Sequence, residues 1–407
     1  MLQLDDIRAA RDRVRGRVVL TPCTPSEAFG EMFAGRAYFK LENMQRTGSF
    51  KERGALNRML TLGEEERRRG VIAASAGNHA QGVAFHARRL GIPAVIVMPE
   101  RTPLVKVANT EGYGARVVLH GSVYDESMEE ALRIQAAEGL TLVHPFDQEE
   151  VIAGQGTIGL ELLEQCPDVD AVIVPLGGGG LVSGIAAAIK PLRPEVRVIG
   201  VEAETLPAAC RSREAGALVT ISPGETIADG IAVRRIGDHT FDMVERLVDD
   251  LVMVSEEEIA TAVLLLLERE KTVAEPAAAT TLAALIGDDL PHLAGKNVVM
   301  VLSGGNIDVN LLSRIIERGL IHDGRLAELI VRIHDRPGAL AAVTALLAEQ
   351  GANILQLDHR RGSAGLRITE AEVELTLETR GRKHVQSIVR AFEGAGYEVR
   401  DGRGRGG

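Results

Sequence analysis

This chain contains no tryptophan, and aromatic residues make up only 3% of its 407 positions. Proteins that read single-stranded nucleic acid stack bases on aromatic rings, so no platform for that partner exists here. Positive charge is also scarce in runs. The formal net charge is -11, and the longest basic run, Arg67–Arg69, directly follows Glu64–Glu66. Nucleic acid is therefore not expected as a partner. Cysteine is sparse: Cys23, Cys166 and Cys210 stand far apart and form no C-x-x-C pair. That excludes a disulfide framework and a cysteine zinc site, and it suits a reducing cytoplasm. Apolar runs such as Ala262–Leu267 are far shorter than the ~20 residues a membrane helix needs. The N-terminus, Met1-Leu2-Gln3-Leu4-Asp5-Asp6, is acidic and has no apolar signal core. A cytoplasmic protein without a membrane partner is expected.

What is present is a soluble globular balance, 45% hydrophobic and 25% charged, with length for two or three core-forming units. Short β-branched runs alternate with alanine-rich helical segments. Strands are predicted at Gly70–Ala74, Ala94–Met98, Ala115–Leu119, Thr141–His144, Ala171–Val174, Val196–Val201 and Asn297–Leu302. Helices are predicted at Ala80–Leu90, Val123–Ala137 and Ser255–Arg269. This is α/β alternation, with βαβ units and a parallel sheet. Several strands run directly into glycine: Gly77, the Gly177–Gly180 cluster and Gly304-Gly305. Ligands of open α/β sheets bind at such carboxyl ends.

After Asn306 the pattern changes. Helix (Leu311–Gly319) and turn lead to strand Glu328–His334, helix Ala339–Gln350, strands Asn353–His359 and Ala371–Thr379, helix Lys383–Ala395 and strand Tyr397–Arg400. That βαββαβ order predicts a small ferredoxin-like module, followed from Asp401 by a flexible glycine- and arginine-rich tail.

Lys51 carries the chemistry. It lies in Gly48-Ser49-Phe50-Lys51-Glu52-Arg53-Gly54-Ala55, beside a ring able to exclude water, a setting for a lysine of depressed basicity and Schiff-base chemistry. Most lysines are simply solvated, so the other motifs decide. Gly177, Gly178, Gly179 and Gly180, followed by Leu181, sit between a buried strand and a helix start. A turn needs one or two glycines; four in succession suit backbone N–H groups closing on a phosphate. No Gly-Lys-Ser/Thr follows, which excludes a nucleotide P-loop. Ser303 in Ser303-Gly304-Gly305-Asn306 can share a hydrogen bond with a pyridine nitrogen, although alone it is a serine in a turn. Amine, phosphate cradle and ring partner together are what pyridoxal phosphate (PLP) requires. Ser75-Ala76-Gly77-Asn78-His79 opens a helix and could hold a carboxylate, the plain alternative being a helix cap. Gly154-Gln155-Gly156-Thr157-Ile158-Gly159 fits GxGxxG, but no clean strand precedes it and no acid follows at the ribose spacing. It reads as packing glycines at a helix start. Glu202, Glu204 and Glu225 read as solvated carboxylates rather than a metal site.

Ser49-Phe50-Lys51, Ser75–Gly82, His144-Pro145-Phe146-Asp147, Gly154–Thr157, Gly177–Leu181, Thr226–Gly230 and Ser303–Asn306 occur in this order. Together they resemble the threonine dehydratases (threonine ammonia-lyases) among the fold-type II PLP enzymes. Residues 326–402, with Asp335-Arg336-Pro337-Gly338-Ala339-Leu340, resemble an ACT regulatory domain. The resemblance implies a two-lobed, tryptophan synthase β-like catalytic domain over 1–320, a smaller lobe inserted at roughly 45–150, an ACT domain over 326–402 and a tail over 403–407. It implies Lys51 as catalytic residue and Phe50, Asn78, Gly177, Gly178, Gly179, Gly180, Leu181, Glu275 and Ser303 as cofactor contacts. Ser75, Ala76, Gly77 and His79 would frame the substrate. Asp335, Arg336, Pro337, Gly338, Ala339, Leu340, Asn353 and Ile354 would bind an amino-acid effector, isoleucine or valine, at a domain–domain interface, unless the module only dimerises the chain. A homo-oligomer, dimer or tetramer, is implied.

Two departures narrow the activity. Related serine racemases carry a serine at Ala76, and their cation site has an acid at Ala208. The expectation is β-elimination from L-threonine or L-serine, giving a 2-oxo acid and ammonia, with no metal. Alternatives are a β-replacement enzyme or hydroxyaspartate dehydratase sharing the cofactor, and a non-catalytic amino-acid sensor.

Overall fold

The computed structural model describes residues 2–361 and 366–402 and divides into two compact units, Met1–Ile307 and Asp308–Gly407. The tail expected over 403–407 lies outside the described residues.

The first unit holds ten strands: β1 Cys23–Ser26, β2 Arg36–Leu41, β3 Val71–Ala74, β4 Ala94–Met98, β5 Arg116–Leu119, β6 Thr141–Leu142, β7 Ala171–Pro175, β8 Arg197–Ala203, β9 Asp250–Val254 and β10 Asn297–Leu302. They form a six-stranded sheet in the order β1-β2-β10-β7-β8-β9 and a four-stranded sheet in the order β5-β4-β3-β6. Every pairing is parallel except β1 with β2, so the expected parallel sheet carries one antiparallel edge strand. Helices cover both faces of a parallel sheet, which is why β4 and β7 are buried along their whole length and read as unbroken apolar runs. The strand expected at Thr141–His144 pairs only through Leu142. His144 leaves the ladder because its Nδ1 accepts the N–H of Asp147 at 2.8 Å, turning the chain. Strands β1, β2 and β9 were not anticipated from sequence.

The second unit begins with helix Val309–His322 and continues as β11 Leu326–His334, helix Ala339–Gln350, β12 Asn353–Arg361, β13 Glu370–Glu378, helix Arg382–Gly394 and β14 Glu398–Asp401. The antiparallel sheet runs β12-β13-β11-β14, the expected βαββαβ module. Gly338 (φ +86°) and Gly351 (φ +68°) bracket helix Ala339–Gln350 with turns that a side chain would strain. Leu329, Val331, Val373, Leu375, Ile388 and Phe392 form its core. Asp401, assigned to the tail from sequence, instead pairs with Leu329 as the end of β14.

Candidate active site

The carboxyl ends of β3, β7 and β10 open onto one cavity of about 290 Å³. Lys51 starts helix Lys51–Leu60, and the segment before it is stitched to the loop after β10. The Phe50 N–H donates to the Ser303 carbonyl at 3.0 Å, and the Gly305 N–H to that of Gly48 at 2.9 Å. Lys51 Nζ donates to the Pro145 carbonyl at 2.8 Å and stands 5.1 Å from the Phe50 ring centre. Withdrawal of its ammonium from water lowers the Lys51 pKa to about 8, against the opposing pull of the Glu275 carboxylate. An ordinary lysine at pH 7 is roughly 0.04% neutral, this one roughly 10%. Aldehyde capture by the cofactor-free protein should therefore rise about tenfold per pH unit and level off near pH 8. Following capture by absorbance tests this; a rate still climbing at pH 10 would contradict it.

Opposite Lys51, Gly179 takes φ +89° as cap of helix Gly180–Ile189. A Cβ on Gly178 would stand 2.2 Å from the Phe146 ring, so this wall admits only glycine. Among the described residues the N–H groups of Gly177, Gly178, Gly179, Gly180 and Leu181 meet no acceptor. Five open donors at the positive end of a ten-residue helix fit a phosphate group.

The third wall follows β3. Ser75 Oγ accepts the Gly77 N–H at 3.2 Å, and Ala76 lines the cavity with a methyl group. Asn78 Nδ2 donates to both Glu275 oxygens, at 2.8 and 2.9 Å. Asn306 Nδ2 donates to Asn78 Oδ1 at 2.8 Å and to the Thr47 carbonyl at 2.7 Å. Burial pushes Glu275 up to about 7, only partly offset by the Asn78 hydrogen bond. His79 Nε2 lies 2.8 Å from the Val143 carbonyl, which makes that nitrogen the N–H donor. Burial, reinforced by Lys51, holds its pKa down to about 3, so the ring is neutral. Ser303 and Leu181 also line the cavity.

All the residues expected to meet cofactor and substrate thus line one cavity. Sequence reasoning missed four more: Tyr124, Gln155, and the Lys106–Asp229 ion pair of 2.8 Å. Gln155 sits inside a motif noticed for its glycines and Asp229 inside one that carried only the family resemblance; Tyr124 and Lys106 gave no signal. The Gly154–Gly159 stretch is not a helix start but the middle of helix Glu149–Gln165. A Cβ on Gly154 would meet Gly54 Cα at 2.6 Å, so these glycines let two helices cross, in keeping with a packing role. Glu202 accepts the N–H groups of Ala209 and Cys210, both at 2.8 Å, and so caps helix Ala208–Ala215 rather than standing solvated. Among the described residues no three His, Cys, Asp or Glu side chains cluster as metal ligands.

In the second unit Asp335 pairs with Arg361 at 2.7 Å, and Arg336, Pro337 and Gly338 complete the turn into the helix that starts with Ala339 and Leu340. Asn353 Nδ2 donates to Glu378 at 3.0 Å, and Ile354 packs on the core. The register puts Asn353 opposite Glu378, which faces Leu326, while Asp335 follows His334 at the other end of β11. Asn353 is therefore roughly 30 Å along the sheet from Asp335 within one chain, while Leu340 and Ile354 pack on the same core.

A lysine of lowered basicity facing a nest of open N–H groups defines an α/β enzyme site for a phosphorylated aldehyde cofactor. The chain belongs to the pyridoxal-phosphate-dependent enzymes: the family model described as "Pyridoxal-phosphate dependent enzyme" matches residues 14–304, and an ACT domain model matches residues 327–396. The L-threonine ammonia-lyase of Thermotoga maritima is 50% identical over 400 residues, 98% of this chain and 99% of its own length. Among solved structures, maize serine racemase superposes with a TM-score of 0.74 at 36% identity, over 79% of this chain and 98% of that one. The processed form of threonine deaminase isoform 2 from Solanum lycopersicum gives 0.73 at 38% identity, over 77% and 86%.

Proposed function

We propose that this chain is a threonine ammonia-lyase, converting L-threonine to 2-oxobutanoate and ammonia, and L-serine to pyruvate and ammonia. The observation that carries the reading is Lys51 Nζ in one cavity with the five unpaired N–H groups of Gly177–Leu181. The full-length likeness to a threonine ammonia-lyase supports it.

When bound, PLP supplies the electron sink that acidifies the substrate α-proton. Lys51 would hold it covalently, Gly177–Leu181 would bind its phosphate, and Phe50 would shield it. Asn78, gripped by Glu275 and Asn306, would lie at its ring oxygen, and Ser303 at its ring nitrogen. Lys51 Nζ would be the base that takes the substrate α-proton. Its lowered pKa keeps a neutral fraction at pH 7. Ser303 would meet the ring nitrogen with a hydroxyl rather than a carboxylate, and so would not force full positive charge on it. That would favour loss of the β-hydroxyl, leaving as water with the proton Lys51 has taken, over return of that proton to the substrate carbon; a water then hydrolyses the released enamine to the 2-oxo acid and ammonia. Ser75, Gly77 and His79 frame the substrate carboxylate. Racemisation needs a second proton carrier on the opposite face, and the Ala76 methyl group carries none.

The catalytic chemistry belongs to roughly residues 1–320, and residues 326–402 bind an amino-acid effector, isoleucine or valine, at the Asp335–Leu340 turn. The enzyme assembles as a homo-oligomer in the cytoplasm, a setting its three free cysteines suit.

One experiment tests the reading. PLP-loaded protein given L-threonine should accumulate 2-oxobutanoate while its absorbance near the visible edge changes, and isoleucine or valine should shift the threonine dependence. Protein that takes up PLP yet releases no 2-oxo acid from threonine or serine would overturn it.

A further inference from the structure

Gln155 has no task in the reaction as described, yet it is built into the cavity wall. It is 1% exposed and lies on helix Glu149–Gln165 where that helix crosses the one beginning at Lys51. Its Oε1 accepts the Gly54 N–H at 3.1 Å. That bond fixes the orientation of the amide, because the reverse flip would set two donors against each other. Nε2 is therefore the free arm, and it is buried with no hydrogen-bond partner among the described residues. A buried donor left open is unfavourable, so an acceptor that fits this cavity should bind it.

Two sources of acceptor oxygen enter this cavity, the cofactor phosphate and the amino acid. The phosphate already faces five open N–H groups. On the amino-acid side the Gly77 N–H goes to Ser75 and the Asn78 side-chain amide to Glu275; the N–H groups of Ala76, Asn78 and His79, open among the described residues, can serve one carboxylate, which leaves any further oxygen of the amino acid to a side-chain donor. We infer that Gln155 Nε2 donates to an oxygen of the bound amino acid. Gln155 is then a substrate-positioning residue, held by the helix that also carries Lys51. This inference rests on the activity proposed above.

The test compares Gln155→Glu with Gln155→Leu in the full-length, PLP-loaded enzyme. Gln155→Glu keeps size and an acceptor for Gly54 but loses the N–H₂ donor; Gln155→Leu loses both. The readouts are threonine KM and kcat, the Kd of L-2-aminobutyrate (which has no hydroxyl to expel) from its absorbance change, the PLP Kd, and thermal stability. Gln155→Glu should raise the threonine KM about tenfold or more with unchanged PLP Kd, while its melting temperature falls by what burying a carboxyl costs. The deficit should shrink as pH falls and the introduced carboxyl gains a proton to donate. If 2-aminobutyrate weakens equally, the bonded oxygen is the carboxylate; if only threonine weakens, it is the β-hydroxyl. Unchanged affinity for both amino acids overturns the inference. So does a selective loss of PLP affinity, or a defect confined to a destabilised Gln155→Leu. A wild-type protein without threonine turnover would fail the proposed activity instead, and the 2-aminobutyrate and PLP constants would still judge Gln155.

Discussion

Lys51→Ala should leave threonine turnover undetectable and remove the near-visible absorbance of the PLP-loaded protein, without unfolding it. Both losses follow from one atom serving two roles. In the proposed mechanism Nζ is both the cofactor attachment point and the base that removes the α-proton, and groups acting as a unit lose nearly everything when one is deleted. A positioned base alone contributes ~10²–10⁴-fold, so the combined loss exceeds that. Stability should be spared. Among the described residues Nζ donates only to the Pro145 carbonyl, and the amine is held partly dehydrated, as its pKa of about 8 reflects. Removing it should therefore change stability by no more than about 1 kcal/mol. The assays are 2-oxobutanoate release, absorbance and thermal melting of wild type and variant side by side. Turnover within a hundredfold of wild type in PLP-loaded Lys51→Ala would remove Lys51 from the chemistry.

The cavity lysine, Lys51, was legible because its surroundings are local. Phe50 is adjacent in sequence, and strands such as β7 run into glycines that have only one good use at a helix start. The ferredoxin-like module was legible for the same reason, since its helices begin and end at glycines and its strands alternate. What stayed hidden depends on partners remote in sequence. Strand β2, Arg36–Leu41, reads as broken by charge because it starts with Arg36 and carries Lys40 one residue before its end. Lys40 is nonetheless wholly buried, its Nζ bonded to Glu161 at 2.6 Å and to the Thr21 carbonyl at 2.7 Å. Gln155 was hidden by its own neighbours, because the glycines that let its helix cross another imitate a nucleotide-binding pattern. The expected effector residues show a different limit: a motif names residues but does not carry register, and within one chain pairing sends Asn353 to the far end of β11 from Asp335, so an effector shared by both would need a domain–domain interface.

The same remoteness governs the second large effect. Arg53, two positions beyond Lys51, points the other way and is completely buried. It forks onto Glu42, with Nε and Nη2 both at 2.8 Å, and onto Glu161 at 2.6 and 2.8 Å. With Lys40 on Glu161, two cations balance two carboxylates in a dry interior. Burial alone would raise the Glu42 pKa, yet Arg53 overcomes it and holds the carboxyl below its usual range. Deleting Arg53 reverses that outcome and strands Glu42 as an uncompensated buried charge, which costs about 3–5 kcal/mol. At ~2–4 °C per kcal/mol, Arg53→Met should melt roughly 10 °C below wild type. A surface pair such as Arg68–Glu65, whose side chains are 74% and 60% exposed, should contribute at most ~1 kcal/mol when broken. The pH dependence has a definite sign. In wild type the depressed Glu42 pKa adds stability that is lost as pH falls through the carboxylate range. In Arg53→Met the raised pKa makes the native state bind the extra proton, so the variant gains relative stability as pH falls and the gap narrows. Adding Glu42→Gln to Arg53→Met should recover part of the loss at pH 7, because it removes the stranded charge without restoring the pair. Melting curves at pH 7 and pH 5 for these variants decide it. An Arg53→Met protein that melts within 2 °C of wild type at pH 7 would mean that water or a shifted side chain compensates Glu42. The helix carrying Lys51 would then owe its position to packing at Gly54 and Gly154 rather than to this buried charge network.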